Sequence, residues 1–512
     1  MQIELIIQAV YPETNRYMKK LFSLLASILL IYSCSQKVEV STLFHAGQEV
    51  VLCAAIDDVG APAGAKRVSG VDSNPESREG SLYLSWDVGD EILVTVGEET
   101  AVFVLSSGAG GSMGTFRGEM PAEGGTYDVT YPADYKEDML STQTYVANGF
   151  GKGLMKLTTK TSGTIDGGFT LSADNALLGL QLTGSTPIGK IVLTNLANKK
   201  SYTLSCPGVT LSDDPTLFYI VVPTGTWGSG FRVDVYGSDN ISKYKSFLKY
   251  TDITFSAGSA VVMPPQEVAY QNIGVFSVAE GKKVTFSPGN LRYHSKSDTW
   301  GFAPLQQECY EAGGIENIDG WVDLFGWSTA ATNYGVNTSD NSNDYLGEFI
   351  DWGTNEIGMS AANTWRTLSD AEWIYLLSSR PNATSLQGVA CVNGINGLIL
   401  LSDDFVCPSG IVFVPGYEHA SPSSSVAYAA HQSFTGLQWA QLEKAGALFL
   451  PASGYRIGVN FGHQNVHGTY WSSTERSSNV TLAQAVYFYS NRLTTGFSGR
   501  SRGNSVRLVK DL

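Results

Sequence analysis

Three stretches of the 512-residue chain hold residue types that could do chemistry. Gly110-Gly111-Ser112-Met113-Gly114 fits the GxSxG pattern of a serine nucleophile. That nucleophile needs a strand, a sharp turn and then a helix. The surrounding SSGAGGSMGTF reads instead as a turn between two strands, so no catalysis is expected from Ser112. His463 and His467 stand four apart, the spacing that puts two imidazoles on one metal-facing side of a helix. But GVNFGHQNVHGTY is Gly-rich and has no HExxH glutamate, and the expectation is a loop with two exposed histidines. Asn337–Asp344, NTSDNSND, is rich in oxygen ligands, and Asp351 follows closely. Calcium takes about six to eight oxygens. The order is not that of an EF-hand, and such runs are the usual surface loop. Asp340, Asp344 and Asp351 stand as calcium candidates; no other cofactor and no catalytic set are expected.

Cysteine adds a different chemistry. Of the six, Cys53, Cys206, Cys309, Cys391 and Cys407 are scattered, with no CxxC pair, which argues against zinc and redox motifs. Cys391 and Cys407 flank one short segment and could pair in an oxidising compartment. Cys34 is placed differently. Lys19 and Lys20 precede the apolar run Leu21–Tyr32, which is shorter than the roughly 20 residues a membrane span needs. A basic start, a short apolar run and the small Ser33 make residues 18–33 a secretory signal. Met18 then reads as the initiator and residues 1–17 as an upstream mis-start. Ile31-Tyr32-Ser33-Cys34 resembles the lipobox of bacterial lipoproteins. That resemblance implies acylation of Cys34 at thiol and amine, giving the two or more chains stable anchoring requires.

The formal net charge is −15. Loss of residues 1–33, with three basic and two acidic side chains, makes it −16. So acidic a chain is a poor partner for nucleic acid, whose affinity comes from Lys and Arg neutralising phosphates.

The elements that must position these residues are mostly strands. Ser81–Val96 has two apolar runs around the turn-like Asp87-Val88-Gly89-Asp90. Ala101–Ser106, Tyr127–Tyr131, Phe169–Leu182, Lys190–Leu193, Leu217–Pro223, Phe231–Tyr236 and Ile253–Met263 follow, separated by Gly, Ser, Asn and Asp clusters. No helix is expected before about residue 270. MPPQEVAYQN, residues 263–272, reads as a linker: only Trp86 and Trp227 precede it, and the other eight tryptophans follow. Beyond it, LSDAEWIYLLSSRP has Ser369 as N-cap, Glu372 at the capping-box position and Trp373, Leu376 and Leu377 on one face. TGLQWAQLEKAG repeats the device with Thr435 and Gln438, and Gly446 suits a left-handed end. Lys283–Phe286, Leu398–Leu401, Ile411–Val414, Ala447–Leu450, Ala485–Tyr489 and Ser505–Val509 are strand candidates. Exposed tryptophans could stack on sugars, but Trp300, Trp321, Trp327, Trp365, Trp373 and Trp471 are expected in the core.

Two resemblances extend this reading. Residues 34–262, with Trp86-Asp87-Val88-Gly89-Asp90 ahead of ILVTV and with GGTYDVTYPADY at Gly124–Tyr135, resemble the fimbrillin family of Bacteroidota. This implies a lipoprotein signal followed by a β-sandwich pilin domain. It also implies clipping by an arginine-specific protease, at Arg67 or Arg78, and joining of subunits by strand exchange. Residues 273–512 resemble a surface-lipoprotein domain distantly similar to the formylglycine-generating enzyme, a C-type-lectin-like fold. The matching residues are WRTLSDAEWIYLL, LFLPASGYR, GTYWSSTE and SVRLVKDL. That enzyme's catalytic cysteines should lie near the last strand. Phe488–Leu512 has no cysteine, which argues against its oxidase chemistry.

The expected fold is therefore a mainly β N-terminal domain, a fimbrillin-like β-sandwich, plus an α+β C-type-lectin-like C-terminal domain. The expected function is that of an outer-membrane lipoprotein at the cell surface, an adhesin or a pilus tip or anchor component. Expected partners are the outer membrane through the lipid anchor, pilin subunits, and a glycan or protein met by residues 335–351 and 454–471; nucleic acid is not expected. Ser35-Gln36-Lys37-Val38-Glu39 partly matches the Lys and acidic run that sends some such lipoproteins to the surface. The alternatives are an enzyme on the second fold and a polymerising stalk pilin.

Overall fold

Trp86-Asp87-Val88-Gly89-Asp90 shows how local chemistry fixes the first strands. Asp90 is 3% exposed, and its carboxylate accepts from the Asp87 N–H (2.6 Å) and the Tyr131 hydroxyl (3.1 Å). Gly89 takes φ +79°, which closes the turn. Trp86 then packs edge-on against Phe116 and Tyr131, with ring centroids 4.8 and 5.4 Å away. The turn launches a strand and buries an aromatic cluster in one step.

The computed structural model describes residues 43–57, 59–60, 81–82, 84–147, 149–270, 273–309, 320–417 and 425–512. Cys34, Arg67 and Arg78 lie outside the described residues. The fold is mainly β, as expected. It forms two compact units that interleave along the chain. The first takes the residues up to Gln181 with Leu217–Thr226 and Thr254–Pro264. The second takes Leu182–Thr216, Trp227–Ile253 and Pro265–Leu512. Within 263–272, strand Gln266–Glu267 pairs in parallel with Leu182 and Thr183.

In the first unit seven strands close into a barrel. In chain order they are β1 (Glu49–Ile56), β2 (Glu91–Val96), β3 (Glu99–Ser107), β4 (Met113–Glu119), β5 (Asp128–Tyr131), β6 (Leu157–Thr159) and β7 (Phe169–Ala173). Around the barrel the order is β1-β7-β6-β5-β2-β3-β4. Alternation puts Leu52, Ile92, Val94, Phe103, Phe116 and Leu171, all below 1% exposed, in the interior. The GxSxG stretch is the turn between β3 and β4, with no helix after it.

In the second unit, strands Lys243–Lys249, Phe231–Gly237, Pro187–Asn195 and Ser201–Thr210 pair antiparallel in that order. The later residues add three short sheets. Ile273–Ala279 pairs with Lys282–Phe286, which pairs with Val509–Asp511. Gln387–Val392, Ile395–Leu401 and Ala447–Pro451 form the second, and Gly468–Glu475, Leu482–Tyr489 and Arg492–Gly499 the third. Helices α1 (Asp370–Ile374), α2 (Ser425–His431) and α3 (Gly436–Lys444) accompany them. Both predicted capping boxes form, and Gly446 is left-handed at φ +98°. After α1 the turn widens over Tyr375–Ser379, where Leu376 and Leu377 still face the core. The six tryptophans expected in the core are all buried.

A buried ion network joins strand Phe231–Gly237 to the loop after residue 302. Glu308 pairs with Arg232 and, at 3.3 Å, with Arg292; Arg232 Nε also donates to Asp234 at 2.6 Å. Two expectations fail here. Ile411–Val414 is not a strand: the amide of Gln432, rather than a neighbouring strand, bonds both the N–H and the carbonyl of Val414. Cys391 and Cys407 are not bonded to each other; Cys391 is buried in strand Gln387–Val392, while Cys407 is exposed and its thiol lies 3.3 Å from the Ile411 carbonyl.

Glu372 caps α1 and also binds Arg366 and Lys282, at 2.9 and 2.8 Å. Arg366 in turn grips Asp511 of the last strand at 2.7 Å. Burial opposes ionisation of Glu372, but the hydrogen bonds from Arg366, Lys282 and the Ser369 N–H outweigh it and bring its pKa down to about 2. The stabilisation is therefore full above the ordinary carboxylate range and is lost as the pH falls through about 2. Glu372→Ala removes the cap and leaves two cations short of a partner. We expect it to cost on the order of 2–4 kcal/mol in denaturant unfolding at pH 7.

Candidate functional site

The first candidate site is the slot that β1 occupies. β1 pairs antiparallel with β4 over Glu49–Ala55, and parallel with β7 over Ala54–Ile56. Its inward residues Val50, Leu52, Ala54 and Ile56 are each 8% exposed or less. Burying a Val, Leu or Ile side chain contributes about 1.5–3 kcal/mol, so this strand is a substantial part of the barrel core. Asp57 pairs with Lys160, and its N–H donates to the Leu171 carbonyl at 2.9 Å. Beside β1 runs an open cleft of 610 Å³, lined by Cys53, Met113, Lys160, Thr164 and Gly168 among others. It lies beside the part of β1 that precedes Ala54, where β7 is not paired with it.

What comes after β1 matters as much. Val59-Gly60 pairs with Ser81-Leu82, on either side of residues 61–80 in the sequence. That segment contains Arg67 and Arg78. All of β1 is thus N-terminal to both candidate cut sites, while its partners β4 and β7 are C-terminal to them. The sequence reading missed β1 because EVVLCAAI is apolar on nearly every residue and hides its alternation.

The second candidate site is the pair of C-terminal loops. They are held together by one side chain that the sequence reading did not single out. Arg456 is 0% exposed. It donates to the carbonyls of Leu324 (2.7 Å), Gly335 (2.9 Å), Asn337 (2.7 Å) and Gly458 (3.3 Å). Residues 335–337 are therefore fastened to the 454–471 loop. Arg500, 1% exposed, fastens the far end of the first loop through Gly347 (3.0 Å) and stacks on Trp327.

The three calcium candidates do not converge. Asp351 is spent on backbone: it accepts from the N–H groups of Gly353 and Thr367, both at 2.9 Å, and from the Thr367 hydroxyl. Asp344 accepts from Ser339 and Asn341 within its own turn, and the Asp340 carbonyl accepts from Ser501. Among the described residues no three His, Cys, Asp or Glu side chains are grouped to hold a metal.

The histidine expectation is corrected. His467 is 2% exposed, not a surface residue. Its ring lies parallel to Tyr489 at 4.5 Å, and Nε2 is 2.8 Å from the Thr469 hydroxyl. His463, at φ +60°, stacks on Tyr455. Strand Leu482–Tyr489 supplies the covering ring, and nothing local to GVNFGHQNVHGTY announces it. Burial, with the nearby His463 and Arg502 charges, pushes His467 down to about 4. The folded state thus holds a neutral imidazole whose unfolded pKa is about 6.5. Below that value the unfolded chain binds the extra proton, so stability falls as the pH drops from 6.5 towards 4, by about 3 kcal/mol in all. His467→Phe keeps the stack and should flatten that part of the profile; urea midpoints measured between pH 7 and pH 4 check it.

No family model matches the chain, and no curated protein matches it. Among solved structures it is similar to a "putative cell adhesion protein" of Bacteroides fragilis, at 12% identity over 43% of this chain and 94% of that one, with a TM-score of 0.27. It is also similar to a fimbrial protein of Bacteroides ovatus, at 10% identity over 91% and 99%, TM-score 0.20. A fimbrial assembly protein of Parabacteroides distasonis follows, at 7% identity over 50% and 100%, TM-score 0.20. No residue is carried over from them.

Proposed function

We propose that the chain is a cell-surface lipoprotein of the outer membrane, anchored through Cys34, that serves as a tip or anchor subunit of a fimbrial fibre and binds a ligand through its C-terminal residues without catalysis. The observation that carries this reading is the position of β1. A cut at Arg67 or Arg78 would free the strand, and its departure would bare a slot between the edges of β4 and β7. Such a slot takes a donated strand from another chain, with backbone bonds giving affinity and alternate side chains giving specificity. The fimbrillin-like motifs, the lipobox-like Ile31–Cys34 and the arginine-bearing segment 61–80 support the same reading.

The strand Val509–Asp511 is not the donor in this reading. It is paired with Lys282–Phe286, and Val509 is 0% exposed. Arg366 clamps Asp511 beside it. A strand so committed to its own unit is not one to be lent.

The test is digestion of the folded protein with an arginine-specific protease, followed by mass measurement and size exclusion. We expect a cut at Arg67 or Arg78, and exchange of β1 for a labelled peptide of sequence EVVLCAAI only after the cut. A double Arg67→Gln, Arg78→Gln variant should block both. A protein that resists the protease, or that is cut and takes up no peptide after mild denaturant, contradicts the reading. Separately, Cys34→Ser should move the protein from the membrane to the soluble fraction, read by fractionation of whole cells.

A further inference from the structure

The second unit contains a cavity of 480 Å³ that none of the preceding argument uses. Strand Lys243–Lys249 forms one wall, α3 the opposite one, and the chain around Phe302–Leu305 another. Its size falls within the roughly 300–1,000 Å³ of small-ligand sites.

The wall chemistry is specific. Tyr244, Phe247 and Tyr250, each half-buried, give it aromatic surface. Lys245, Glu267 and Glu443 give it one ammonium and two carboxylates. Burial raises the Glu443 carboxyl towards its neutral form and lowers Lys245, while each opposes the other's shift. A cation entering here meets Lys245, and an anion meets two carboxylates. A neutral polyol meets no such conflict: its hydroxyls can donate to the carboxylates and accept from the ammonium, and its C–H faces can lie on the rings.

The wall is built in advance. The Tyr250 ring fills the space beside Gly436, where any Cβ would stand 2.2 Å from it. Glu443 is held by Gln306 at 2.9 Å.

We propose that this cavity binds a neutral mono- or disaccharide. The proposal deepens the reading of the chain as a surface adhesin by naming the ligand class; its geometry is independent of β1.

The test uses the full chain as its soluble Cys34→Ser variant. It is titrated calorimetrically with glucose, galactose, mannose, N-acetylglucosamine, lactose and cellobiose, and with glucosamine and sialic acid as charged probes. At least one neutral sugar should bind with single-site stoichiometry and more tightly than either charged probe. Glu443→Gln should weaken it about tenfold or more. Ala440 is exposed on α3 and borders the cavity. Ala440→Trp therefore fills the space without disturbing the core, and should abolish binding at an unchanged melting temperature. Failure of every neutral sugar to bind, preference for a charged probe, or full binding by Ala440→Trp overturns the proposal. Sugar binding without strand exchange at β1 removes the fibre reading and leaves this one; exchange without sugar binding does the reverse.

Discussion

The C-terminal half of this protein depends on guanidinium groups buried without a carboxylate at full contact. Arg456 and Arg507 are 0% and 1% exposed, and their hydrogen bonds run to carbonyl and amide oxygens. A buried charge is costly unless its donors find oxygens; Nη1 and Nη2 of Arg507 do, while its Nε has no partner. The arginine fork, with five donors in a fixed plane, can serve several loop carbonyls at once. This suits a region where long stretches between residues 323 and 369 form no extended strand. The Gly335 carbonyl also accepts from the Gly326 N–H and the Asn337 carbonyl from the Tyr345 hydroxyl, so the guanidinium adds to the loop's own bonds. Arg456, and Arg500 with the Glu475 carboxylate as a further partner at 2.9 Å, thus do for the loops what ladder hydrogen bonds do for the barrel. Burial drives the Arg507 pKa down to about 10, against the pull of Tyr470 and Glu443, which measures how far from water that charge sits.

The barrel of the first unit obeys a different constraint. Its strands are held by ladder bonds and by alternation. β1 is the clearest case. Its contribution is Val50, Leu52, Ala54 and Ile56 on one face and plain backbone on its edges. Val59-Gly60 pairs with Ser81-Leu82, and the other six barrel strands all follow this pair in the sequence. The two units therefore differ: the barrel rests on ladder bonds and alternating side chains, while the loops of the second unit also rest on contacts particular to single side chains.

What was legible in the sequence follows the same division. The WDVGD turn, the two capping boxes and the left-handed Gly446 are set by residues within five positions of one another, and all stand as read. The mainly β character followed from alternation and turn residues. β1 was not legible, because Val51, Cys53 and Ala55 are apolar on its outer face as well. α2, SVAYAAH, carries no capping signal comparable to those of its neighbours. Arg507 sits in SVRLVKDL, where alternation with Val506 and Leu508 predicts a solvated side chain. A second layer, formed by Asn290 and Gln306 some two hundred residues away, covers it instead. His467 was misplaced for the same reason, since Tyr487 and Tyr489 come from a later strand. Local signals predicted local structure; burial set by distant chain did not appear in any window.

Gln306 shows how the buried arginines reach the surface chemistry. Its amide oxygen accepts from Arg507 (2.8 Å) and from the Phe449 N–H (2.7 Å). Its amide nitrogen donates to Glu443 (2.9 Å) and to the Ala447 carbonyl (3.1 Å). All four bonding positions of the amide are in use. It cannot turn over without setting a donor against Arg507 and an acceptor against Glu443. The Glu443 carboxyl on the cavity wall is therefore oriented by a core guanidinium two links away, not by its own helix. A group fixed in this way loses little further freedom when a ligand arrives, so more of the contact energy would appear as affinity. The same arginine that fills the C-terminal core thereby helps set the geometry of a carboxyl group on the cavity wall.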